Sequence, residues 1–180
     1  YYPKIDVRGR NFGSHVELSD TFARRNYNRT QAEQIAGLDG AVANAKAAGA
    51  ESGSVAIGNP FGCNFEGKYS LEQRMNLIDL MMSKWASEGI PVKKVSFLDA
   101  MGWNMPHTVS ETIQTIRDKY PQVETFHMHL HNTRGASIAS CYEALKLGAT
   151  EFDTSLGGMG GCPYCGNGRA AGHVPTEDLV

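Results

Sequence analysis

The sequence has no excess of charge of either sign and no long hydrophobic run. Its 180 residues carry 17 Lys and Arg against 19 Asp and Glu, which gives a formal net charge of −2. Proteins that bind a phosphate backbone present clustered basic side chains, so we do not expect a nucleic-acid partner. No apolar run approaches the ~20 residues that cross a bilayer, and the N-terminal YYPKIDVRGR lacks the apolar core of a signal peptide. We therefore expect a cytoplasmic protein with no membrane partner.

Cysteine is also scarce. The four cysteines, at positions 63, 141, 162 and 165, are too few and too scattered for a secreted domain stapled by disulfides. Two of them nevertheless form the stretch Cys162-Pro163-Tyr164-Cys165, which has the spacing of a glutaredoxin redox centre. Such a centre follows an early apolar strand and opens a helix, whereas here the motif follows GGMGG and precedes GNGRAAG. A redox role is therefore the less favoured interpretation, and cycling of both thiols against glutathione would test it.

The hydrophobic period switches repeatedly between about 2 and about 3.6 residues, which is typical of alternating strands and helices. Strands are predicted near residues 54–58, 92–98, 124–130 and 150–156, with a possible fifth within residues 1–29. Capping boxes at Thr30 with Glu33 and at Ser70 with Gln73 mark the starts of two helices. The apolar residues of the four predicted helices are Ile35, Leu38, Val42 and Ala45; Leu71, Met75, Ile78, Met82 and Trp85; Val109, Ile113, Ile116 and Tyr120; and Ile138, Cys141, Tyr142 and Leu145.

This alternation predicts an α/β fold with a parallel sheet, either an open doubly wound sheet or part of a (β/α) barrel. Polar residues and glycines gather after each strand, in GNPFGCNFEG, DAMGWN, HNTRG and GGMGGCPYCGNG. Barrel enzymes build their sites from the loops at that end of the strands, although open sheets also bind ligands at this edge. The pattern favours the barrel without excluding the open sheet.

Three histidines at alternate positions form the strongest candidate for a chemical site. His127, His129 and His131 would project from one face of the strand ETFHMHL and the residue that follows it. Two imidazoles at this spacing near a strand end can hold one divalent cation, provided that the other ring nitrogens have partners. The histidines could equally be ordinary hydrogen-bonded polar side chains. His127 lies deepest in the strand, which favours a structural role for it.

The segments HMHLHNTRG at 127–135, FDTSLGGMGGCPY at 152–164 and VPTEDLV at 174–180 together resemble the 3-hydroxy-3-methylglutaryl-CoA lyases of the DRE-TIM metallolyase superfamily. FARRNYNRT at 22–30, FGCNFEGK at 61–68 and VSFLDAMGWNMP at 95–106 are similar to that family's fourth-, fifth- and sixth-strand regions. The resemblance implies that residues 1–180 form a single TIM-barrel domain. It further implies the C-terminal portion of a (β/α)8 barrel, about strands 4 to 8, with the N-terminal strands missing.

The resemblance also implies an activity and a set of site residues. The expected reaction is the retro-Claisen cleavage of a 3-hydroxy-3-methylglutaryl-CoA-like thioester to acetyl-CoA and a keto product, with Mg²⁺ or Mn²⁺ as cofactor. His129 and His131 would bind the cation, which can stabilise the alkoxide that forms as the carbon–carbon bond breaks. Cys162 would be the catalytic acid or base on a mobile glycine loop. A homodimer or larger homo-oligomer is expected.

Two departures from the family pattern affect the predicted metal site. The family places an asparagine ligand shortly before its TEDL segment, where this sequence has His173 after Gly172. His173 is a candidate third ligand, and because imidazole suits softer cations it adds Co²⁺ or Zn²⁺ to the possible metals. The alternative is that Asn167 or water takes this place. The family's first-strand Arg-Asp/Glu-Gly run has no convincing match, since Asp6-Val7-Arg8-Gly9 is reversed.

Three further residues are candidates for substrate binding: Asp99 directly after the predicted strand VKKVSFL, Asn132 where many lyases have aspartate, and Arg134 as a partner for an acidic group of the thioester. Asp99 could instead cap its loop, and Arg134 could be solvated. Ala100 stands where threonine is common in the family. Two alternatives remain for the function: a Claisen condensing enzyme of the isopropylmalate or homocitrate synthase type, and a non-catalytic barrel fragment or partner subunit.

Overall fold

A single run of parallel strands organises the computed structural model, which describes residues 12–166 and 170–180. The strands are β1 (Phe12–Glu17), β2 (Gly53–Gly58), β3 (Gly62–Cys63), β4 (Gly67–Lys68), β5 (Val92–Asp99), β6 (Thr125–Leu130), β7 (Glu151–Ser155) and β8 (Val174–Pro175). The helices are α1 (Asp20–Tyr27), α2 (Gln31–Ala36), α3 (Leu38–Ala47), α4 (Leu71–Ser87), α5 (Pro106–Lys119), α6 (Ser137–Lys146) and α7 (Thr176–Leu179).

The order of the strands distinguishes the two predicted architectures. The main sheet runs β1-β2-β5-β6-β7-β8, so that its strands are added in one direction in chain order, and every neighbouring pair is parallel. A doubly wound sheet reverses its order at a switch point, whereas a (β/α) barrel adds strands in one direction. The observed order therefore confirms the prediction of a partial barrel. β3 and β4 form a small antiparallel hairpin in the loop after β2.

Both predicted capping boxes are present. The Thr30 hydroxyl accepts from the Glu33 amide at 3.0 Å while the Glu33 carboxylate accepts from the Thr30 amide at 2.7 Å. The same reciprocal pair joins Ser70 and Gln73 at the start of α4. Each box satisfies two amide groups that would otherwise lack partners at the helix start.

The first predicted helix differs from the prediction because it is interrupted. The chain leaves the helix at Gly37, so α2 and α3 are separate and only the second presents a buried stripe, Leu38, Val42 and Ala45. Ile35, predicted to share that stripe, is half-buried in α2. Glycine favours such a break because it has a low helix propensity and no side chain to pack.

The prediction for the apolar side of α6 is wrong in part. Cys141 and Ala144 are buried, but Tyr142 and Leu145 remain 61% and 57% exposed. Successive helical residues point about 100° apart around the helix axis. When Cys141 and Ala144 face the sheet, the residues that follow them, Tyr142 and Leu145, therefore point away from it.

The core lies between the sheet and the surrounding helices. Val55, Ile57, Phe97 and Met128 contribute from the strands, and Trp85 of α4 is fully buried against them. The Trp85 indole donates a hydrogen bond to Ser14 Oγ at 2.9 Å, which satisfies its only polar group. This packed core fixes the positions of the strands and therefore of the residues at their ends.

None of the helices within residues 12–166 and 170–180 is long and apolar enough to cross a bilayer. The Asp6-Val7-Arg8-Gly9 segment and Asn167, which the sequence analysis considered, lie outside the described residues.

We predict that Gly53→Ala destabilises the protein. A Cβ atom at position 53 would lie 2.4 Å from Cε3 of Trp85, a fully buried ring that cannot move freely. Overpacking of this kind costs about 1–3 kcal/mol, which urea unfolding would measure as a lower midpoint.

Gly40→Ala is the matched control. Position 40 lies within α3, and a Cβ atom there would meet nothing within 4 Å. Alanine is a better helix former by about 0.5–1 kcal/mol, so this variant should unfold at a slightly higher urea concentration. Equal midpoints for the two variants would contradict the packing described here.

Candidate active site

A cleft of about 330 Å³ opens where the ends of β1, β5 and β6 meet the loop after β7. Carboxyl ends of parallel strands are the usual place for function in barrel enzymes. The cleft is lined by Glu17, Phe22, Asn26, Tyr27, Leu98, Ala100, His129, His131, Gly161, Cys162 and His173. Four of the predicted site residues, Cys162 and three histidines, are thus brought together by the fold.

The three histidines form a compact cluster. One ligand nitrogen from each of His129, His131 and His173 lies within 4.8 Å of the other two. The His173 ring centroid is 4.5 Å from the centroids of both other rings. His131 and His173 also pair through an isolated antiparallel bridge, so the chain segment that carries His173 is held directly against the end of β6.

Asp153 of β7 orients two histidines of the neighbouring strand. Its Oδ2 lies 2.7 Å from Nδ1 of His129, and its Oδ1 lies 3.0 Å from Nε2 of His127. The other ring nitrogen of His127 lies 3.2 Å from Ser96 Oγ, so both nitrogens of His127 are engaged. Burial would raise the pKa of Asp153, but the hydrogen bonds from the histidines outweigh it and hold the pKa below its ordinary value.

His131 is held by the backbone. Its Nδ1 donates to the carbonyl oxygen of Ala171 at 2.7 Å, and the side chain is almost completely buried. Burial lowers the pKa of His131 to about 4, despite the opposing effect of the Ala171 carbonyl. Burial and the neighbouring His129 also lower the pKa of His173. These two imidazoles are therefore neutral at physiological pH.

This donor set fits a divalent cation. A histidine ligand must be neutral, and its second nitrogen commonly donates to a carboxylate or a backbone carbonyl that fixes the ring. Asp153 and the Ala171 carbonyl supply these partners for His129 and His131, which leaves Nε2 of each ring for the cleft. The structure thus contains three imidazoles that could hold one metal ion.

Cys162 reaches the cleft from a glycine-rich loop. Gly157, Gly158, Gly160 and Gly161 all have positive φ angles, so the loop follows a path that most other residues would resist. The Glu177 carboxylate accepts from the Gly157 amide at 2.8 Å, which ties the loop to α7. Residues 163–166 form turns and bends rather than the first turn of a helix.

The thiol of Cys162 is activated by its neighbour. The neighbouring Cys165 thiol lowers the pKa of Cys162 to about 7, and the backbone amides of Tyr164 and Cys165 act in the same direction, against burial and the Glu17 charge. Cys165 is fully buried, its thiol donates to the Ala100 carbonyl at 3.4 Å, and its pKa is raised first by Cys162 and then by burial. Cys162 can therefore exchange a proton near neutral pH, which acid–base catalysis requires.

Asp99 lies beneath the cleft and is fully buried. Its Oδ1 accepts from the Trp103 amide at 3.1 Å, and its Oδ2 accepts from the amide and side chain of Asn104 at 2.6 and 2.8 Å. Burial raises the pKa of Asp99. These contacts describe a loop cap, the alternative that the sequence analysis left open for this residue.

Asn132 and Arg134 lie outside the cleft lining. The Asn132 Oδ1 accepts from the hydroxyl of Ser137 at 2.6 Å, and the backbone N–H of Asn132 donates to the Gly172 carbonyl at 2.9 Å. Arg134 is exposed, with its guanidinium carbon 3.7 Å from the centroid of the Trp103 ring. Asn132 therefore supports the turn beside His131, and Arg134 stacks on the rim.

Glu17, Asn26 and Tyr27 form the wall of the cleft on the β1 side, and none of them was predicted from the sequence as a site residue. Glu17 ends β1, in a region where a strand was only suspected. A single acidic residue after a short apolar stretch matches no known motif. Glu17 could have been identified only by predicting where β1 ends, because the site lies at the strand ends.

Residues 12–180 match the HMGL-like family model. The chain belongs to the HMGL-like family. Among its curated relatives, the (R)-citramalyl-CoA lyase of Chloroflexus aurantiacus is 36% identical over 170 residues, covering 92% of this chain and 50% of that protein. The hydroxymethylglutaryl-CoA lyase of Bacillus subtilis is 30% identical over 165 residues, covering 92% of this chain and 52% of that protein.

Solved structures of the HMGL-like family agree with this assignment. An HMG-CoA lyase from Acinetobacter baumannii, in complex with coenzyme A and 3-methylmalate, has a TM-score of 0.74 and 29% identity, over 93% of this chain and 51% of that one. The chain spans about half the length of the relatives it matches. The resemblance to the lyase family noted in the sequence is confirmed, as is the partial barrel.

We predict that Cys162 reacts with iodoacetamide with a half-maximal rate at about pH 7, because its thiolate is the reacting form and the neighbouring Cys165 thiol stabilises it. In Cys165→Ala that interaction is lost, so the midpoint should rise towards about 8.5, the ordinary value for a thiol. Peptide mass spectrometry across a pH series would measure both curves.

Cys141→Ala is the control for this experiment. Cys141 is buried in α6, and burial raises its pKa to about 12, so its removal should leave the alkylation midpoint of Cys162 unchanged. A Cys165→Ala curve that overlies the wild-type curve would show that Cys165 does not activate Cys162.

Proposed function

We propose that the protein acts as a divalent-metal-dependent carbon–carbon lyase, which cleaves a 3-hydroxyacyl-CoA thioester to acetyl-CoA and a keto product. The observation that carries this proposal is the placement of three imidazoles and an activated thiol in one cleft. Either group alone occurs in many kinds of site. Their combination supplies both a cation site and a proton donor, the two elements that a retro-Claisen cleavage needs.

Within this proposal, His129, His131 and His173 hold the cation. When bound, a divalent cation supplies Lewis acidity and stabilises negative charge on oxygen. Asp153 and the Ala171 carbonyl hold two of the imidazole rings in position. Cys162 gives a proton to the carbon of the departing acetyl-CoA enolate, and the glycine loop that carries Cys162 covers the cleft and limits the entry of water.

The substrate class follows from the relatives. (R)-citramalyl-CoA and hydroxymethylglutaryl-CoA, named for the two relatives, are both 3-hydroxy-3-methyl thioesters that also carry a carboxylate. We propose a thioester of this class for the present protein. Ala100 lines the cleft beside the histidines, and its small side chain leaves more space for a substrate than a larger residue would.

The third imidazole bears on the identity of the metal. Carboxylate, carbonyl and water ligands suit Mg²⁺, whereas imidazole suits zinc and other transition metals. His173 stands where the family has asparagine, and its ring lies 4.5 Å from those of His129 and His131. We therefore propose Mn²⁺, Co²⁺ or Zn²⁺ ahead of Mg²⁺ as the cation of this site.

Turnover is the direct test of the proposed activity. Purified protein with Mn²⁺ should release acetyl-CoA from citramalyl-CoA or hydroxymethylglutaryl-CoA, as detected by mass spectrometry. Cys162→Ala should lower kcat by about 10²–10⁴-fold, the usual contribution of a positioned acid–base group. His129→Ala should abolish metal-dependent release because it removes a ligand.

His107→Ala is the matched control, since His107 is exposed on α5, outside the cleft lining. This variant should keep wild-type turnover. Release that persists in Cys162→Ala and His129→Ala would contradict the assignment of the site. Formation of a thioester from acetyl-CoA and a keto acid, without cleavage, would point instead to a condensing enzyme. No reaction in either direction would favour a non-catalytic role.

Metal preference can be tested separately by calorimetry. The wild-type protein should bind Mn²⁺ and Zn²⁺ more tightly than Mg²⁺, because imidazole is a poor ligand for Mg²⁺. His173→Asn should reduce this preference by about ten-fold, equal to about 1.4 kcal/mol. The same preference in His173→Asn and in the wild type would show that His173 is not a ligand.

A further inference from the structure

Glu17 is a buried carboxylate in the cleft to which the proposed function assigns no task. It ends β1, its side chain is 3% exposed, and it lines the same cavity as Cys162 and the three histidines. A carboxylate removed from water is costly unless it is compensated, so its presence in a cleft is a physical indication of function.

The surrounding residues hold this carboxylate in one place. Asn59 Nδ2 donates to Glu17 Oε2 at 3.0 Å, from a residue with a left-handed φ of 49°. A Cβ atom on Gly58 would lie 2.1 Å from Glu17 Oε2, so the carboxylate occupies space that only glycine leaves open. The backbone amide of Glu17 also donates to Gln34 Oε1 at 2.9 Å. Asn59 and Gly58 therefore position the carboxylate, and Gln34 holds the backbone that carries it.

The titratable groups that face Glu17 come from three elements. His15 Nε2 of β1 lies 3.2 Å from Glu17 Oε1. Tyr27 at the end of α1 has a pKa raised to about 12, first by burial and then by the charge of Glu17. From the glycine loop, Cys162 and Cys165 both feel the Glu17 charge, which raises the pKa of each thiol. The carboxylate is thus within electrostatic reach of the thiol that the proposed function uses.

We propose that Glu17 is a second acid–base residue of this site, which takes the proton of the substrate's 3-hydroxyl group while Cys162 delivers a proton to the released enolate. This inference rests on the proposed lyase function. The O–H bond breaks towards the Glu17 carboxylate, and the carbonyl of the keto product forms. The C2–C3 electron pair passes to C2, which takes the proton of the Cys162 thiol. Transfer of the proton from Glu17 to the thiolate then restores both residues.

The reaction requires two proton transfers, and two acid–base groups in the cleft can each perform one of them. The cleavage removes a proton from oxygen and adds a proton to carbon, at atoms on opposite sides of the bond that breaks. A thiol alone would have to perform both transfers in turn. The structure offers two acid–base groups on different walls of the cleft, Glu17 on the strand side and Cys162 on the loop side.

The closing experiment separates cleavage from proton exchange. In D₂O, exchange of the methyl hydrogens of acetyl-CoA needs only the group that acts at C2, which is Cys162. Glu17→Gln should therefore lose kcat for thioester cleavage by about 100-fold or more, with KM little changed, yet retain exchange within about three-fold. Cys162→Ala should lose both. Glu17→Asp should recover part of the cleavage, and Glu88→Gln, a surface change, should match the wild type.

Each other outcome overturns the inference, in a distinguishable way. An active wild type whose Glu17→Gln variant still cleaves within about three-fold would leave the lyase standing and remove Glu17 from it. Equal losses of cleavage and exchange, in a variant with the circular dichroism of the wild type, would mean that Glu17 acts only through Cys162. Absence of cleavage in the wild type would overturn the proposed function itself, and the role of Glu17 with it.

A measurement without turnover tests the proximity of the two groups. If Glu17 faces Cys162, Glu17→Gln removes a negative charge and the alkylation midpoint of Cys162 should fall, since a nearby like charge disfavours the thiolate. An unchanged midpoint would place Glu17 out of reach of Cys162 and would overturn the shared acid–base site.

Discussion

The hydrogen bond between His129 and Asp153 is the contact on which the arrangement of the cleft depends. The two residues are direct partners in the parallel register of β6 and β7, so the backbone ladder itself brings the carboxylate to the ring. By engaging Nδ1, Asp153 leaves Nε2 of His129 for the cleft, and its second oxygen holds His127 deeper in the same strand. The His129 ring is therefore oriented by the sheet rather than by a loop, and rigid elements position functional groups more accurately than loops do.

The other residues of the cleft are positioned relative to β6 and β7. His131 follows β6 and is tied to the Ala171 carbonyl, and this contact brings the segment that carries His173 against the strand. The glycine loop then carries Cys162 over the cleft from the side of β7, and β1 closes the opposite wall with Glu17. The histidine cluster, Cys162 and Glu17, to which we assign metal binding and proton transfer, therefore lie on walls of the cleft that different elements support. A loop can move for substrate entry while the imidazoles stay in place.

Local features of this fold could be predicted from the sequence, and long-range ones could not. The alternation in HMHLH and the two capping boxes depend on neighbouring residues, and all of them occur as expected. The break at Gly37 and the exposure of Tyr142 depend on which face each helix turns to the sheet, which periodicity alone does not determine. His173 lies 42 positions after His131 in the chain, so only the family pattern indicated it. Glu17 carried no signal, because its burial depends on Gly58 and Asn59 of the neighbouring strand and loop.

The proposed function depends on three imidazoles, from β6, its end and the segment before β8, that bind a single cation. X-ray absorption at the metal edge, on protein loaded with one equivalent of Mn²⁺ or Zn²⁺, counts these ligands directly. We expect imidazole scattering from three rings in the wild type and from two rings in His173→Asn. A spectrum with only oxygen ligands, or one that is identical in the two proteins, would contradict the proposed cation site.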